Sequence, residues 1–270
     1  MLKQELIIEK IRSICMSDEA LIGVVMYGSF TRNEGDQYSD VEFYFYIDDS
    51  KYDNFNFKNW ITQVLPLEAC FQNEWGITTV IFNNLIRGEF HISKASEISQ
   101  IKNWVNIVWV KDPEKMILLD RNGEIKKYVS LLIGEGPNRE DTDYLELLFY
   151  RFTDWMIFGM TVLERGEIAR SLELLWFLHR YLLWMIRILE NKTNNFSTPS
   201  KAIEKDISAE AYRKYEKCTT SLERKSLIKA YSNSWEWGKE MMMDLVEKYN
   251  LDFNIGLVKK IDYRFNKWFS

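Results

Sequence analysis

A polar segment between two apolar runs most constrains the fold of this chain. The runs cover 22–27 and 43–47, and the segment between them begins with Gly28-Ser29 and ends with Asp40-Val41-Glu42. Short apolar runs bounded by turn residues are typical of buried strands. The sequence therefore predicts two strands joined by a turn. Because strand side chains alternate between faces, Asp40 and Glu42 are expected on one face, about 6–7 Å apart.

The two ends of this segment are suited to binding a metal and a triphosphate. Mg²⁺ is held in proteins by one or two carboxylates together with phosphate oxygens and water. A Gly-Ser turn leaves backbone N–H groups and a hydroxyl available to phosphates. Either half alone is more often a plain turn or a solvated strand edge. The two halves together, each next to a strand, indicate a nucleotidyl-transfer site.

A third acidic group is required if Asp40 and Glu42 bind metal, because an attacking hydroxyl must lose its proton. Glu89 is the main candidate for this base, since it begins the strand predicted after a hairpin at 67–82. The alternative is an ordinary exposed glutamate. Glu74 and Asp36 are further candidates, although Asp36 is also suited to bonding the amides of its own turn.

Two arginines are candidates for contacting the triphosphate. Arg32 directly follows the Gly-Ser turn, and Arg170 begins a predicted helix in the second half of the chain. An exposed arginine without a role is the alternative for each. The histidines, His91 and His179, lack the partners of a zinc site or of a nucleophile–histidine dyad, so both are predicted to be structural.

The first half of the chain mixes helix and strand patterns. Apolar positions predict a helix over 6–14, a second helix that ends near 65 and a third that ends near 132. They predict strands over 22–27, 40–47, 67–71, 77–82 and 88–92, and a further apolar run covers 116–119. The densest Gly/Pro cluster follows at 134–138 and marks a domain boundary. The prediction is a mixed-sheet domain over 1–135 that carries the nucleotidyl-transfer site.

Helical spacing dominates the second half. It covers 145–164, 168–190, 209–218, 222–249 and 257–268, with a loop over 191–200. The domain over 136–270 is therefore predicted to be an all-α helical bundle. The fold class of the whole chain is α+β.

Composition restricts the partners and the location. The net charge of −5 argues against nucleic acid as a partner. The most apolar run, 172–188, carries Glu173, His179, Arg180 and Arg187 and suits a core helix better than a membrane span. Three scattered cysteines and a charged N-terminus without signal-peptide character indicate a cytoplasmic protein. Monomer and homodimer both stay open, because no heptad seam decides between them.

These motifs resemble a known superfamily. Gly28-Ser29, the ten-residue gap, Asp40-Val41-Glu42 and a later carboxylate are similar to the polymerase-β-like nucleotidyltransferases. The run 27–46 resembles their antibiotic-modifying branch. The runs 80–91 and 165–175 are similar to the lincosamide nucleotidyltransferases in particular.

The resemblance implies a catalytic mixed-sheet domain, a helical C-terminal domain and a cleft between them. It implies that Asp40 and Glu42 hold Mg²⁺, that Ser29 contacts the triphosphate of ATP or another NTP, and that Glu89 is the base. Nucleoside monophosphate would join a hydroxyl of a lincosamide such as lincomycin or clindamycin, with loss of pyrophosphate. Arg32 stands where family members often carry Lys, which keeps the charge and changes the geometry.

Three alternatives stay open. The first is the same transfer to an aminoglycoside. The second is an end-adding nucleic-acid polymerase, against which the acidic balance counts. The third is a non-catalytic or toxin–antitoxin module. Helical ribonucleases of such modules carry an Arg with a His five to seven residues later, whereas here His91 follows Arg87 by four and His179 follows Arg170 by nine.

Overall fold

The computed structural model describes residues 1–193 and 198–269. The chain divides into two compact units, Met1–Pro137 and Asn138–Ser270. Among the described residues, helices of the length and apolarity needed to cross a bilayer are absent.

The N-terminal unit is built on a mixed sheet. Its elements are α1 (Lys3–Ser17), β1 (Leu21–Tyr27), β2 (Val41–Ile47), α2 (Phe57–Ile61), β3 (Leu67–Gln72), β4 (Thr78–Phe82), β5 (Arg87–Lys94), β6 (Ile117–Asp120) and α3 (Glu124–Val129). The strand order is β3-β4-β5-β2-β1-β6. Strands β2 and β5 are parallel, and the other neighbours are antiparallel. The parallel pair is what brings the starts of β2 and β5 to the same edge.

The alternation of side chains along β2 divides the core of this unit between two faces. Phe43 and Phe45 pack with α1, α2 and the ring of Phe90 on one face. Tyr44 and Tyr46 point to the other face, which is covered by a 3-10 segment at Ala95–Trp104 and by α3. Burial of such large apolar side chains contributes about 1.5–3 kcal/mol each. The even-numbered face of β2 is the one that carries Glu42.

The C-terminal unit is helical. Its elements are α4 (Thr142–Glu164), α5 (Ile168–Leu189), α6 (Ile203–Asp206), α7 (Ala209–Cys218), α8 (Arg224–Tyr249) and α9 (Ile255–Phe269). Helices α4, α5 and α8 carry apolar side chains at helical spacing that form one continuous core. Within it, Trp235 of α8 stacks on Phe152 of α4 with the ring centroids 5.9 Å apart.

The structure confirms the predicted α+β class and differs from the sequence prediction in detail. The helix expected to end near residue 65 has only five residues, because its apolar side chains reach the sheet within one turn and a half. The 3-10 segment at Ala95–Trp104 and the short α6 were not predicted. The loop predicted over 191–200 includes 194–197, which lie outside the described residues.

Candidate active site

Gly28 closes the turn after β1 against the side chain of Glu42. Its φ of +81° lies in a region that L side chains rarely adopt. A Cβ atom built on this residue would overlap the Glu42 carboxylate. Only glycine therefore lets the turn backbone approach Glu42 so closely. The 3-10 turn Ser29–Arg32 follows, and Thr31 Oγ1 donates to the Gly28 carbonyl at 2.8 Å.

Three carboxylates meet at the starts of β2 and β5. Glu42 is the register partner of Glu89 in the parallel pairing of these strands. Register partners on neighbouring strands, about 4.8 Å apart, present their side chains on the same face. Asp40 directly precedes β2 and lies two residues before Glu42, on the same side of the strand. The structure thus brings together the three acidic residues that the sequence placed in one site.

Arg87 bridges two of these carboxylates. Its Nη1 lies 2.8 Å from Asp40 Oδ2, and its Nη2 donates to Glu89 Oε1. Arg87 lies in the run 80–91 and was assigned no role from sequence. Its spacing of two from Glu89 on a strand was the available signal, since that spacing puts both side chains on one face. The contact with Asp40 also depends on the parallel pairing, which local patterns do not reveal.

The Glu42 carboxyl group lies in an environment that disfavours its charge. Burial, and then repulsion by Asp40 and Glu89, raises the pKa of Glu42 to about 7, with Arg32 and Arg87 opposing the change. The pKa of the Tyr27 hydroxyl is also raised, first by burial and then by Glu42. The charged form of Glu42 is therefore disfavoured first by the loss of hydration and then by the neighbouring carboxylates. A bound cation would offset this repulsion.

Ser29 offers an unused hydroxyl beside the carboxylates. Its Oγ is buried and has no hydrogen-bond partner within the described part of the chain. Buried polar atoms usually have partners, so an unpaired one in a turn points to a missing group. Arg32 lies on the same turn, with its Nε 3.2 Å from Glu34 Oε2.

Arg170, the other predicted phosphate contact, belongs to the C-terminal unit. It lies in the first turn of α5, where its Nη1 is 3.1 Å from Glu167 Oε2. Its guanidinium also lies over the ring of Phe158, 5.4 Å from the centroid. Both contacts are internal to that unit.

The donors present fit a magnesium ion. In the described residues, groups of three or more Asp, Glu, His or Cys side chains arranged to hold a metal are absent. Mg²⁺ does not need such a cage, because it keeps water and phosphate oxygens and uses only one or two carboxylates. Asp40 and Glu42 supply hard oxygen atoms, and the repulsion around Glu42 favours a cation. These two residues would hold the ion.

The remaining candidates lie outside this constellation. Glu74 lies in the exposed turn between β3 and β4, beyond Thr78 and away from the start of β5. Asp36 accepts hydrogen bonds from Tyr38 N and Ser39 Oγ, at 2.9 and 3.0 Å, so it stabilises its own turn.

Both histidines have packing partners. His91 stacks on Tyr44 with the ring centroids 3.9 Å apart, and burial lowers the pKa of its imidazole. His179 lies with its Nε2 2.9 Å from the Cys218 carbonyl oxygen. These contacts agree with the structural roles that the sequence predicted.

Comparisons with known proteins identify the second unit. Residues 141–264 match the family described as lincosamide nucleotidyltransferase-like, C-terminal domain. No curated protein matches the chain in sequence. One similar solved structure is an aminoglycoside 6-adenyltransferase from Bacillus subtilis, with 11% identity, a TM-score of 0.46, and coverage of 98% of this chain and 97% of that one.

Another is a nucleotidyltransferase-like protein from Exiguobacterium sibiricum, with 17% identity, a TM-score of 0.39, and coverage of 89% of this chain and 76% of that one. The family match assigns the helical unit, and the carboxylates described above lie in the unit that precedes it. The helical unit therefore matches a lincosamide nucleotidyltransferase-like C-terminal domain, which agrees with the family resemblance of the sequence motifs.

Proposed function

We propose that this protein transfers a nucleoside monophosphate, AMP when ATP is the donor, to a hydroxyl group of a lincosamide. A bond forms between the acceptor oxygen and the α-phosphorus, the α–β phosphate bond breaks, and pyrophosphate leaves. The observation that carries the proposal is the pairing of Glu42 with Glu89 under a glycine turn that closes on Glu42. The C-terminal family match supports the choice of a lincosamide.

Each residue of the site has a distinct task in this reaction. Asp40 and Glu42 would hold Mg²⁺, which would neutralise phosphate charge. The backbone N–H groups after Gly28 and the unpaired Ser29 hydroxyl contact phosphate oxygens. Arg32 adds positive charge on the same turn. Such a site acts mainly by positioning and electrostatics, which a rigid sheet edge is suited to supply.

Glu89 accepts the proton of the attacking hydroxyl. Its register position beside Glu42 puts it on the flank of β2 opposite to the Gly28 turn. A base there faces a hydroxyl that attacks from the side away from the leaving group. Arg87 fixes the orientation of the Glu89 carboxylate through its hydrogen bond.

Replacing Glu89 by Gln is expected to lower kcat by about 10²–10⁴-fold, the usual contribution of a positioned base. Binding of Mg-ATP is expected to stay unchanged, because Glu89 is not a metal ligand in this proposal. Steady-state kinetics and equilibrium titration with Mg-ATP separate the two quantities. The Glu74→Gln variant, altered in the exposed turn between β3 and β4, is the matched control. Wild-type turnover in Glu89→Gln would show that another group takes the proton.

Replacing Arg87 by Met is expected to tighten Mg²⁺ binding by about 2–5-fold in the absence of nucleotide. The reason is that Asp40 gives up a 2.8 Å ion pair when it binds the metal, and such partly exposed pairs contribute up to about 1 kcal/mol. Calorimetric titration with MgCl₂ measures the change. Arg12→Met, which removes an exposed pair with Glu9 on α1, controls for net charge. Unchanged or weaker Mg²⁺ binding in Arg87→Met would show that Arg87 does not compete with the metal for Asp40.

Product mass tests the proposed function directly. The protein is incubated with Mg²⁺ and mixed nucleoside triphosphates, with lincomycin in one arm and kanamycin or streptomycin in another. We expect lincomycin to gain the mass of one nucleoside monophosphate, and to gain none when EDTA is added. If only the aminoglycosides were modified, the acceptor would be an aminoglycoside and not a lincosamide. If a primer were extended in a parallel tube and neither drug were modified, the protein would instead add nucleotides to the ends of nucleic acid.

A further inference from the structure

A pocket of about 510 Å³ lies beside Asp40 and Arg87, within the N-terminal unit. One wall is the turn 37–40 that leads into β2, and the other is the turn 84–87 that leads into β5. Asp40 and Arg87, the residues that form the 2.8 Å ion pair, belong to these walls. The volume is within the range of small-molecule sites, about 300–1,000 Å³. We call it the two-turn pocket.

The strand order decides which reactant belongs on this side. Strands β1 and β5 flank β2, so the turn with Gly28 and the base Glu89 lie on opposite sides of Glu42. In phosphoryl-type transfer, the attacking and leaving oxygens lie roughly in line across the phosphorus. With the triphosphate at the Gly28 turn, the acceptor hydroxyl must approach from the β5 side. The 84–87 wall of the two-turn pocket leads into β5, and its Arg87 donates to Glu89.

The rim of the two-turn pocket carries two large apolar side chains in solvent. Tyr38 is 85% exposed and Leu85 is 79% exposed, each on one of the two turns. Leu85 also has a φ of +63°, in the left-handed region that favours glycine. A strained, exposed leucine is unfavourable for the folded protein alone, and strain of this kind is concentrated at ligand-binding positions. The rim is therefore suited to packing against a ligand.

The wall of the pocket that carries Tyr38 is held in place from below. Gln4 of α1 is buried, and its Nε2 donates to the carbonyls of Gln37 and Ser39 at 3.0 and 2.9 Å. These bonds fix the turn whatever occupies the pocket. Apart from the Asp40–Arg87 pair, the residues that line the pocket are uncharged, and they include amide and hydroxyl side chains. Amides and hydroxyls beside an aromatic ring are suited to a sugar-like ring with several hydroxyl groups.

We propose that the two-turn pocket is the acceptor subsite. The ligand is a neutral, polyhydroxylated ring of the acceptor, whose apolar face packs on Tyr38 and Leu85 while one hydroxyl reaches Glu89 past Arg87. This inference rests on the proposed function. It adds that acceptor recognition depends on residues of the N-terminal unit.

Kinetics of Tyr38→Ala and Leu85→Gly test the subsite, with lincomycin as the probe and kanamycin where lincomycin is not modified. We expect the KM for the acceptor to rise about tenfold in each variant, the effect of losing one good apolar contact. The KM for Mg-ATP is expected to stay within about twofold of wild type, since uniform loss of acceptor binding leaves the nucleotide site intact. Because Gly adopts a φ of +63° without strain, Leu85→Gly is expected to keep the wild-type melting temperature.

Trp75→Ala is the matched control. Trp75 is 73% exposed in the turn between β3 and β4 and does not line the pocket, so both KM values should stay unchanged. If wild type modified the acceptor and the acceptor KM were unaltered in both pocket variants, the proposed subsite would be wrong and the proposed function would stand. A raised KM for Mg-ATP in place of the acceptor would also overturn it. Failure of wild type to modify either drug would overturn the proposed function and the subsite with it.

Discussion

Replacing Glu42 by Gln is expected to lower turnover by about 10³-fold or more, while the metal-free protein unfolds at a temperature no lower than that of wild type. Activity is lost because an amide is a poor ligand for Mg²⁺, and the electrostatic effect of the ion is lost with it. Stability is kept because Gln removes a half-buried charge that Asp40 and Glu89 repel. Replacement of a residue that the fold needs would instead lower activity and stability together.

The pH dependence of stability gives this prediction a second readout. The folded protein raises the pKa of Glu42 from its ordinary 4.5 to about 7, so the folded state binds this proton more tightly than the unfolded state. In EDTA, the contribution of Glu42 to the free energy of unfolding is therefore fully present below pH 4.5 and is lost as the pH rises to about 7. The Glu42→Gln variant lacks this titration. The difference between its melting temperature and that of wild type should grow from pH 5 to pH 7.5.

Magnesium is expected to reverse the order of stability of wild type and Glu42→Gln. Adding MgCl₂ at pH 7.5 is expected to raise the melting temperature of wild type, because a ligand that binds only the folded state stabilises it. Glu42→Gln should respond much less. Glu114→Gln, altered at an exposed carboxylate outside the site, should behave as wild type in every arm. A Glu42→Gln protein that melts well below wild type in EDTA at pH 7.5 would show that the carboxylate has a structural partner.

The local sequence pattern was sufficient to predict the framework of this site. Gly28 and Glu42 each stand next to an apolar run that could only be buried as a strand, so both flanks of the turn were predictable. Glu89 follows a hairpin signal at residues 67–82, where Asn73 and Gly76 form the turn. These are short-range features, and helix and strand periodicities are also short-range. The strands and the longer helices therefore agree with prediction.

Long-range pairing is what the sequence did not reveal. The contact of Arg87 with Asp40 spans 47 residues and exists only because β5 runs parallel to β2. The left-handed backbone conformation of the exposed Leu85 has no local sequence signal, because leucine rarely adopts a positive φ. The Ala95–Trp104 segment buries Ile98 and Ile101 at 3-10 spacing, which helical and strand templates both miss.

Arg187 shows the same limit in the C-terminal unit. From sequence, Arg187 was only one of the charged side chains that interrupt the apolar run 172–188. In the structure its side chain is fully buried in α5. Its Nε donates to the Pro199 carbonyl at 2.7 Å, and its Nη1 lies 2.8 Å from Asp206 Oδ2. Further bonds run to the carbonyls of Lys192 and Lys201. One guanidinium thus connects α5 to the segments around α6.

Replacing Arg187 by Met is expected to lower the free energy of unfolding of the C-terminal unit by about 3–5 kcal/mol, which is the usual cost of removing one partner of a buried ion pair. Met fills most of the space of the arginine stem, so the loss comes from carbonyls and a carboxylate left without their donor. Urea unfolding followed by far-ultraviolet circular dichroism measures the change. Arg180→Met is the matched control, because Arg180 lies on the same helix and is exposed, and a cost below about 0.5 kcal/mol is expected there.

The Asp206→Asn variant separates charge from hydrogen bonding at this position. Asn keeps an oxygen that can accept from Arg187 and removes the negative charge, so a cost smaller than that of Arg187→Met is expected. The carbonyls of Lys192, Pro199 and Lys201 would still hold the guanidinium in place. If Asp206→Asn were as damaging as Arg187→Met, the ion pair alone would account for the effect. If Arg187→Met unfolded within about 1 kcal/mol of wild type, the buried guanidinium would not stabilise this part of the unit.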